Sequence, residues 1–271
     1  MQPRLLLLLF GLCLLPAATA AQKKVRILFI GNSYTTYDGY NIPRKLNRMA
    51  SAAGKKVLIR QHTRNGLPLR EHLANRRARA KINRRPWDYV VLQEQSWTAV
   101  ANPQEGMYPA ARALDSLIRQ RGSRTVFYLL MPKAYSADAV FTVTGDSTVY
   151  YYAVFRDFGH ASDSLRHIHL KIARELGAVV APVGPAFALA LAGPTDLKLY
   201  RKDRVHPTRE GAYLVACVFY ASLFGESPAD SGYRARVAPE LARYFQAVAT
   251  RTVLEQKHRW QEQQGTRRVT D

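Results

Sequence analysis

Short apolar runs alternate along the chain with longer stretches whose apolar residues recur every three to four positions. That is the pattern of a parallel sheet covered by helices. The runs predict strands at 25–30, 57–62, 89–93, 125–131 and 178–181, and the periodic stretches predict helices at 42–53, 69–83, 105–121, 150–176, 208–223 and 239–260. Five strands with helices between them make one three-layer α/β/α domain, a flavodoxin-like doubly wound parallel five-stranded sheet. No internal repeat and no Pro/Gly-rich linker divides it, so a single domain is expected over 21–260. The segment 132–149, rich in Ser, Thr, Asp and Gly, reads as a long loop on the ligand-binding edge, and 261–271 as a polar tail.

The first 20 residues have a different pattern. Arg4 precedes an apolar run from Leu5 to Leu15, and Ala18-Thr19-Ala20 supplies small residues for cleavage, the layout of a secretory leader. The run is shorter than the roughly 20 residues a membrane span requires, and no later stretch reaches that length. A secreted or periplasmic protein without a transmembrane segment is expected. Cys13 would leave with the leader, so Cys217, inside an apolar stretch, could form no intramolecular disulfide and reads as a small core residue. A domain of this size buries enough apolar surface to fold without cross-links.

The chain holds 40 Lys and Arg against 20 Asp and Glu, a formal net charge of +20. The basic residues are scattered through helical stretches, Arg70 to Arg85 for example, with no aromatic-interleaved stripe, so no specific nucleic-acid partner is expected. Nonspecific contact with an anionic polymer or a membrane surface fits an exported basic protein, and a basic solvated surface fits equally. No dinucleotide or phosphate-binding glycine motif follows a strand, and no cofactor is expected. His160, His167 and His169 have no standard ligand spacing, so no metal site is expected. The run Tyr150-Tyr151-Tyr152 reads as helix-packing aromatics, with a sugar site the alternative.

Two segments far apart in sequence carry the chemistry. Gly31-Asn32-Ser33-Tyr34-Thr35 follows the first strand, where a serine hydroxyl can leave the sheet edge, and Asp203-Arg204-Val205-His206-Pro207 holds an acid three residues before an imidazole. A serine hydroxyl needs a base, and the base needs an orienting group, so Ser33, His206 and Asp203 form a candidate triad. In an open parallel sheet the loops after every strand share one rim, so the loop after the fifth strand can meet Ser33. Pro207 would stand at the first position of the helix beginning near Thr208. Each segment alone has a plainer reading: GNS is ordinary turn chemistry, and DxxHP can be a helix start.

These residues, with Asn65-Gly66, the stretch from Val90 to Ser96, and Gly211 and Tyr213, resemble the SGNH (GDSL-like) hydrolase superfamily, most of all an exported bacterial branch with GNSYT or GNSFT in its first block. The resemblance implies Ser33 as nucleophile and first oxyanion donor through its N–H, Gly66 as second donor, and Asp203 and His206 as the rest of the triad. Where the better-known families place an Asn as third donor, Gln95 aligns best, with Gln93 and Glu94 the alternatives; a Gln is one methylene longer and must be set back to serve. Tyr34, Glu94 and Trp97 are candidate pocket residues. Glu94 could instead orient the loop, and Trp97 could pack on its own scaffold.

Three functions follow. The first is a secreted serine esterase acting on an ester, an O-acetyl group of a glycan or polysaccharide by implication of the resemblance and export, with a lipase or thioesterase-type acyl hydrolase as the alternative within the class. The second is a carbohydrate-binding protein that kept the fold and lost turnover, and the third a basic protein bound to anionic polymers.

Overall fold

The computed structural model describes residues 23–132, 155, 157–194, 196–257 and 260. The expected leader, most of the 132–149 loop, Tyr150 to Tyr152 and the tail lie outside the described residues.

The chain opens with β1 (Val25–Gly31), buried on both faces from Ile27 to Ile30 as the central strand of a parallel sheet must be. A small hairpin of β2 (Thr36–Tyr37) and β3 (Tyr40–Asn41) leads into α1 (Ile42–Ala52), whose first turn is capped by the Asn41 side chain accepting from the Arg44 N–H at 2.8 Å. Then come β4 (Val57–Thr63), α2 (Leu69–Ala74), α3 (Arg76–Asn83), β5 (Tyr89–Leu92), α4 (Ser96–Ala101) and α5 (Tyr108–Arg119). The second half holds β6 (Arg124–Tyr128), α6 (Phe158–Leu176), β7 (Val179–Ala181), α7 (Val183–Leu191), α8 (Arg209–Phe224) and α9 (Pro239–Thr250).

The five long strands pair in parallel in the order β4-β1-β5-β6-β7, with helices on both faces, the flavodoxin-like arrangement expected from the pattern. Helices α1 and α8 pack together in one layer with α9 against α8, while α2, α3 and α6 all pack on α5 in the other. Helix α8 is apolar nearly all round, and every residue from Gly211 to Ala221 is buried between the sheet and its neighbours. Phe219 joins it to the strands, its ring edge-on to Phe29 and to Tyr128 with both centroids at 5.1 Å. Cys217 lies in this core, where burial pushes its thiol well above the usual range. Among the described residues no helix is long and apolar enough to cross a membrane.

Five local expectations are corrected. The single helix expected over 69–83 is two, because Asn75 leaves helical geometry and its side chain caps α3 by accepting from the Ala78 N–H at 3.0 Å. Helix α4 was not expected; its cap is a glutamine, a weak sequence signal. Helix α7 was not expected either, since it is apolar throughout and starts beside Gly184 and Pro185, so it shows neither a period nor a start. The DxxHP segment therefore does not follow the fifth strand directly: α7 intervenes. Pro207 is not the first residue of α8 but pairs with Tyr200 in an isolated bridge, and Thr208 caps the helix instead, accepting from the Gly211 N–H at 3.1 Å.

Candidate active site

Ser33 stands two residues beyond the end of β1, in a loop tied down from several directions. The Asn32 carbonyl accepts from the N–H of Thr35 (3.0 Å) and of Thr36 (3.2 Å). The Asn32 side chain donates to the Leu67 carbonyl at 3.1 Å and accepts from the Tyr34 N–H at 3.3 Å. Gln93, fully buried just after β5, is the anchor: its amide oxygen accepts from the Asn32 N–H at 2.7 Å and the Thr35 hydroxyl at 3.0 Å, and its amide nitrogen donates to the Asn32 side chain at 2.8 Å and to the Glu94 carbonyl. The side chain lies so close that a Cβ on residue 31 would come within 2.5 Å of it, which explains Gly31. Substituting Gln93 with Ala would leave the Asn32 N–H and the Thr35 hydroxyl unpaired in the core. At about 1–3 kcal/mol for each buried orphan, the loss should reach about 2–6 kcal/mol by urea unfolding.

The partner of the serine comes from a hairpin. The Arg201 N–H donates to the His206 carbonyl at 2.8 Å, and the Tyr200–Pro207 bridge closes the loop between them. Arg204 at its tip adopts the left-handed conformation, φ +59°, uncommon outside glycine. Asp203 Oδ1 accepts from the N–H groups of Val205 and His206, both at 2.9 Å, so the carboxylate folds back over its own turn and frees Oδ2 for the ring. The result is a continuous chain: Asp203 Oδ2 to His206 Nδ1 is 2.9 Å, and His206 Nε2 to Ser33 Oγ is 2.9 Å. Burial alone would raise the Asp203 carboxyl, but the two N–H groups and the imidazole outweigh it and hold the acid below its usual range.

Two tyrosines of the small hairpin complete the setting, and nothing in the residue pattern singled them out. Tyr37 stacks flat on the His206 ring, centroids 4.1 Å apart and planes 7° from parallel, with the Arg201 guanidinium 5.4 Å from the centroid of the same Tyr37 ring. Tyr40 donates from its hydroxyl to the Ser33 carbonyl. Both follow Ser33 within seven residues, and an aromatic-rich hairpin after the nucleophile turn was the available signal.

The remaining sequence candidates are placed as follows. Gly66 lies in the loop after β4, exposed and at φ +70°, on the same sheet edge as Ser33. Neither its N–H nor that of Ser33 has an acceptor among the described residues. Gln95 caps α4, its amide oxygen accepting from the Thr98 N–H at 2.8 Å. Gln93 spends both amide hydrogens on protein acceptors and has none left for a substrate. Tyr34 is buried rather than lining an open pocket, its ring 5.9 Å from that of His206. The side chain of Trp97 lies outside the described residues. His169 is buried and His167 exposed, and among the described residues no group of three or more His, Cys, Asp or Glu could hold a metal.

Glu94 is buried, its Oε1 accepting from the N–H of Leu69 (3.0 Å) and of Gln95 (2.6 Å), so it ties the loop after β5 to the start of α2. Burial pushes its carboxyl up to about 7, against the pull of those two N–H groups and Arg70. Its folded value lies above the unfolded one, so the stability it contributes is complete below about 4.5 and is lost as pH rises through about 7. Glu94→Gln, which imitates the protonated acid, should match wild type near pH 4.5 and exceed it by on the order of 3 kcal/mol at pH 8, read by urea unfolding at the two pH values.

No family model matches the chain, and no curated protein does. Solved structures do. A candidate SGNH hydrolase from Slackia heliotrinireducens is 28% identical with a TM-score of 0.58, the match covering 74% of this chain and all of that one. A DUF4886 family protein from Bacteroides uniformis is 17% identical with a TM-score of 0.67, covering 86% and 95%. A lipase/acylhydrolase from Enterococcus faecalis is 13% identical with a TM-score of 0.51, covering 74% and 96%. At such identities the last two speak for a shared fold alone.

Proposed function

Because the chain belongs to the SGNH hydrolase superfamily, we propose that it is a serine ester hydrolase in which Ser33 is the nucleophile, His206 the base and Asp203 the group that orients it. The observation that carries this reading is the unbroken pair of 2.9 Å contacts from carboxylate to imidazole to hydroxyl. With Nδ1 donating to Asp203, Nε2 is the lone-pair nitrogen and faces the Ser33 hydroxyl, the tautomer a general base requires. The proton passes to Nε2 as Ser33 Oγ attacks the acyl carbonyl. The oxyanion is met by the N–H groups of Ser33 and Gly66, with the Gln95 amide NH2, which has no acceptor among the described residues, as third donor. Collapse expels the alcohol, which takes the proton from His206, and water activated by the same ring releases the acid.

The substrate we propose is a short acyl ester, an O-acetyl group, on a glycan met outside the cell. Leu191 is the one exposed large hydrophobic among the described residues, so they offer little apolar surface for a lipid interface. A chain that merely bound sugars would have no use for a hydroxyl aligned on an imidazole. The test is covalent: a fluorophosphonate should modify Ser33, located by peptide mass, while the protein hydrolyses p-nitrophenyl acetate. Absence of both would remove the esterase.

A further inference from the structure

Against the β2–β3 hairpin, lined by Gly39, Tyr40 and Asn41, lies a cleft of 1130 Å³, open to solvent. That exceeds the range of about 300–1,000 Å³ usual for a small ligand. Six cations line it: Arg44, Lys45 and Arg48 from α1, Arg209 from the start of α8, and Arg234 and Arg236 from the loop before α9. None of the six makes an ion pair among the described residues.

Their placement is unfavourable in three ways. Arg44 and Arg48 are four apart on one helix, where like charges repel. Arg209 puts a cation in the first turn of α8, at the end of a helix that favours anions. Lys45 is half-buried, and its amine is pushed below the usual lysine range by burial and then by Arg209 and Arg48, with Glu210 the nearby carboxylate acting against them. In the loop before α9, Ala235 and Arg236 both adopt the left-handed conformation, at φ +52° and +64°. A negative ligand would relieve each of the charge terms.

We infer that this cleft binds an acidic polysaccharide, a chain of carboxylate-bearing sugars, and holds it so that its ester groups reach Ser33 around the hairpin. The second half of the inference rests on the esterase reading; the first does not. The cleft and the triad share a wall, because Gly39, Tyr40 and Asn41 line the cleft while Tyr40 also holds the Ser33 carbonyl and Tyr37 the His206 ring. A ligand spanning both must carry negative charge and an acyl ester. A nucleic acid carries no such ester, and a single strand binds with its bases stacked on exposed aromatics, whereas the aromatics here are Tyr233 and Tyr40, the latter buried. A phospholipid carries both groups but needs an apolar trough for its acyl chains, and the apolar side chains of the lining, Ala235, Val237, Ala238 and Pro239, are short, the first two of them buried.

The experiment uses Ser33→Ala protein, so that binding is read without turnover, and a fluorescent oligogalacturonate at low salt. Adding Arg44→Ser, Arg48→Ser and Arg236→Ser should weaken binding at least tenfold, whereas Arg44→Lys, Arg48→Lys and Arg236→Lys should stay within threefold. Removing the same charge from α3, by Arg76→Ser, Arg77→Ser and Arg79→Ser, should also stay within threefold. Equal loss in the cleft and α3 variants would show attraction to net charge alone and overturn the proposal. So would equal binding of a neutral xylan oligomer, or tighter cleft-dependent binding of single-stranded DNA or anionic vesicles. Hydrolysis of p-nitrophenyl acetate by the Ser33-intact chain decides the esterase reading separately: binding without hydrolysis keeps the cleft and removes the enzyme.

Discussion

Ser33→Ala is expected to lower kcat for p-nitrophenyl acetate by at least about 10³-fold, since loss of the nucleophile in a serine triad costs up to about 10⁶ in kcat. The residue that remains should leave the fold intact. Ser33 is 8% exposed, and its hydroxyl bonds to His206 while the loop is held by Asn32, Thr35 and Gln93 through groups the substitution does not touch. The comparison is a steady-state assay of wild type and variant at equal concentration, with unfolding midpoints as control. Equal rates in the two proteins would remove Ser33 from the mechanism.

Asp203→Asn is expected to cost about 10²–10³ in kcat, and for a more specific reason. An asparagine can still accept from the N–H groups of Val205 and His206 through its oxygen, so the turn survives. Its NH2 then faces His206 Nδ1, which must accept; the ring proton moves to Nε2, and the lone pair facing Ser33 is lost. Where the carboxylate is fully buried this change of tautomer costs about 10⁴. The Asp203 side chain is 40% exposed, so water can reach the ring and the loss should be smaller. Asp203→Ala would also break the turn, so a fall in unfolding midpoint in the alanine variant alone separates the two roles of this carboxylate. A rate for Asp203→Asn within a factor of two of wild type would show that the imidazole does not depend on it.

The elements that sequence pattern predicted well are those with a strong period or a buried run. The strand expected at 25–30 is Val25–Gly31, and the helix expected at 42–53 is Ile42–Ala52. The misses share a cause. Helix α7 buries its residues against several neighbours, so no polar face marks its period, and α4 begins at a glutamine whose capping role depends on the loop around it. The helix expected over 69–83 concealed Asn75, since an asparagine inside a periodic stretch reads the same whether it caps a new helix or continues an old one.

The composition of the site follows a similar division. Sequence alone determined the chemistry available: a serine after a buried strand, an acid and an imidazole three residues apart, a five-stranded parallel sheet to carry them on one edge, and an excess of positive charge. Each of these depends on neighbours in the chain or on a period of two or 3.6, which a linear pattern records. Tertiary structure alone decided which groups meet. Gln93 locks the turn of Ser33 from 60 positions away, Tyr37 lies flat on His206, and cations from α1, α8 and the loop before α9 gather in one cleft. Such contacts are set by the order of strands and the packing of layers, so the residues that make them carry no mark in the local sequence.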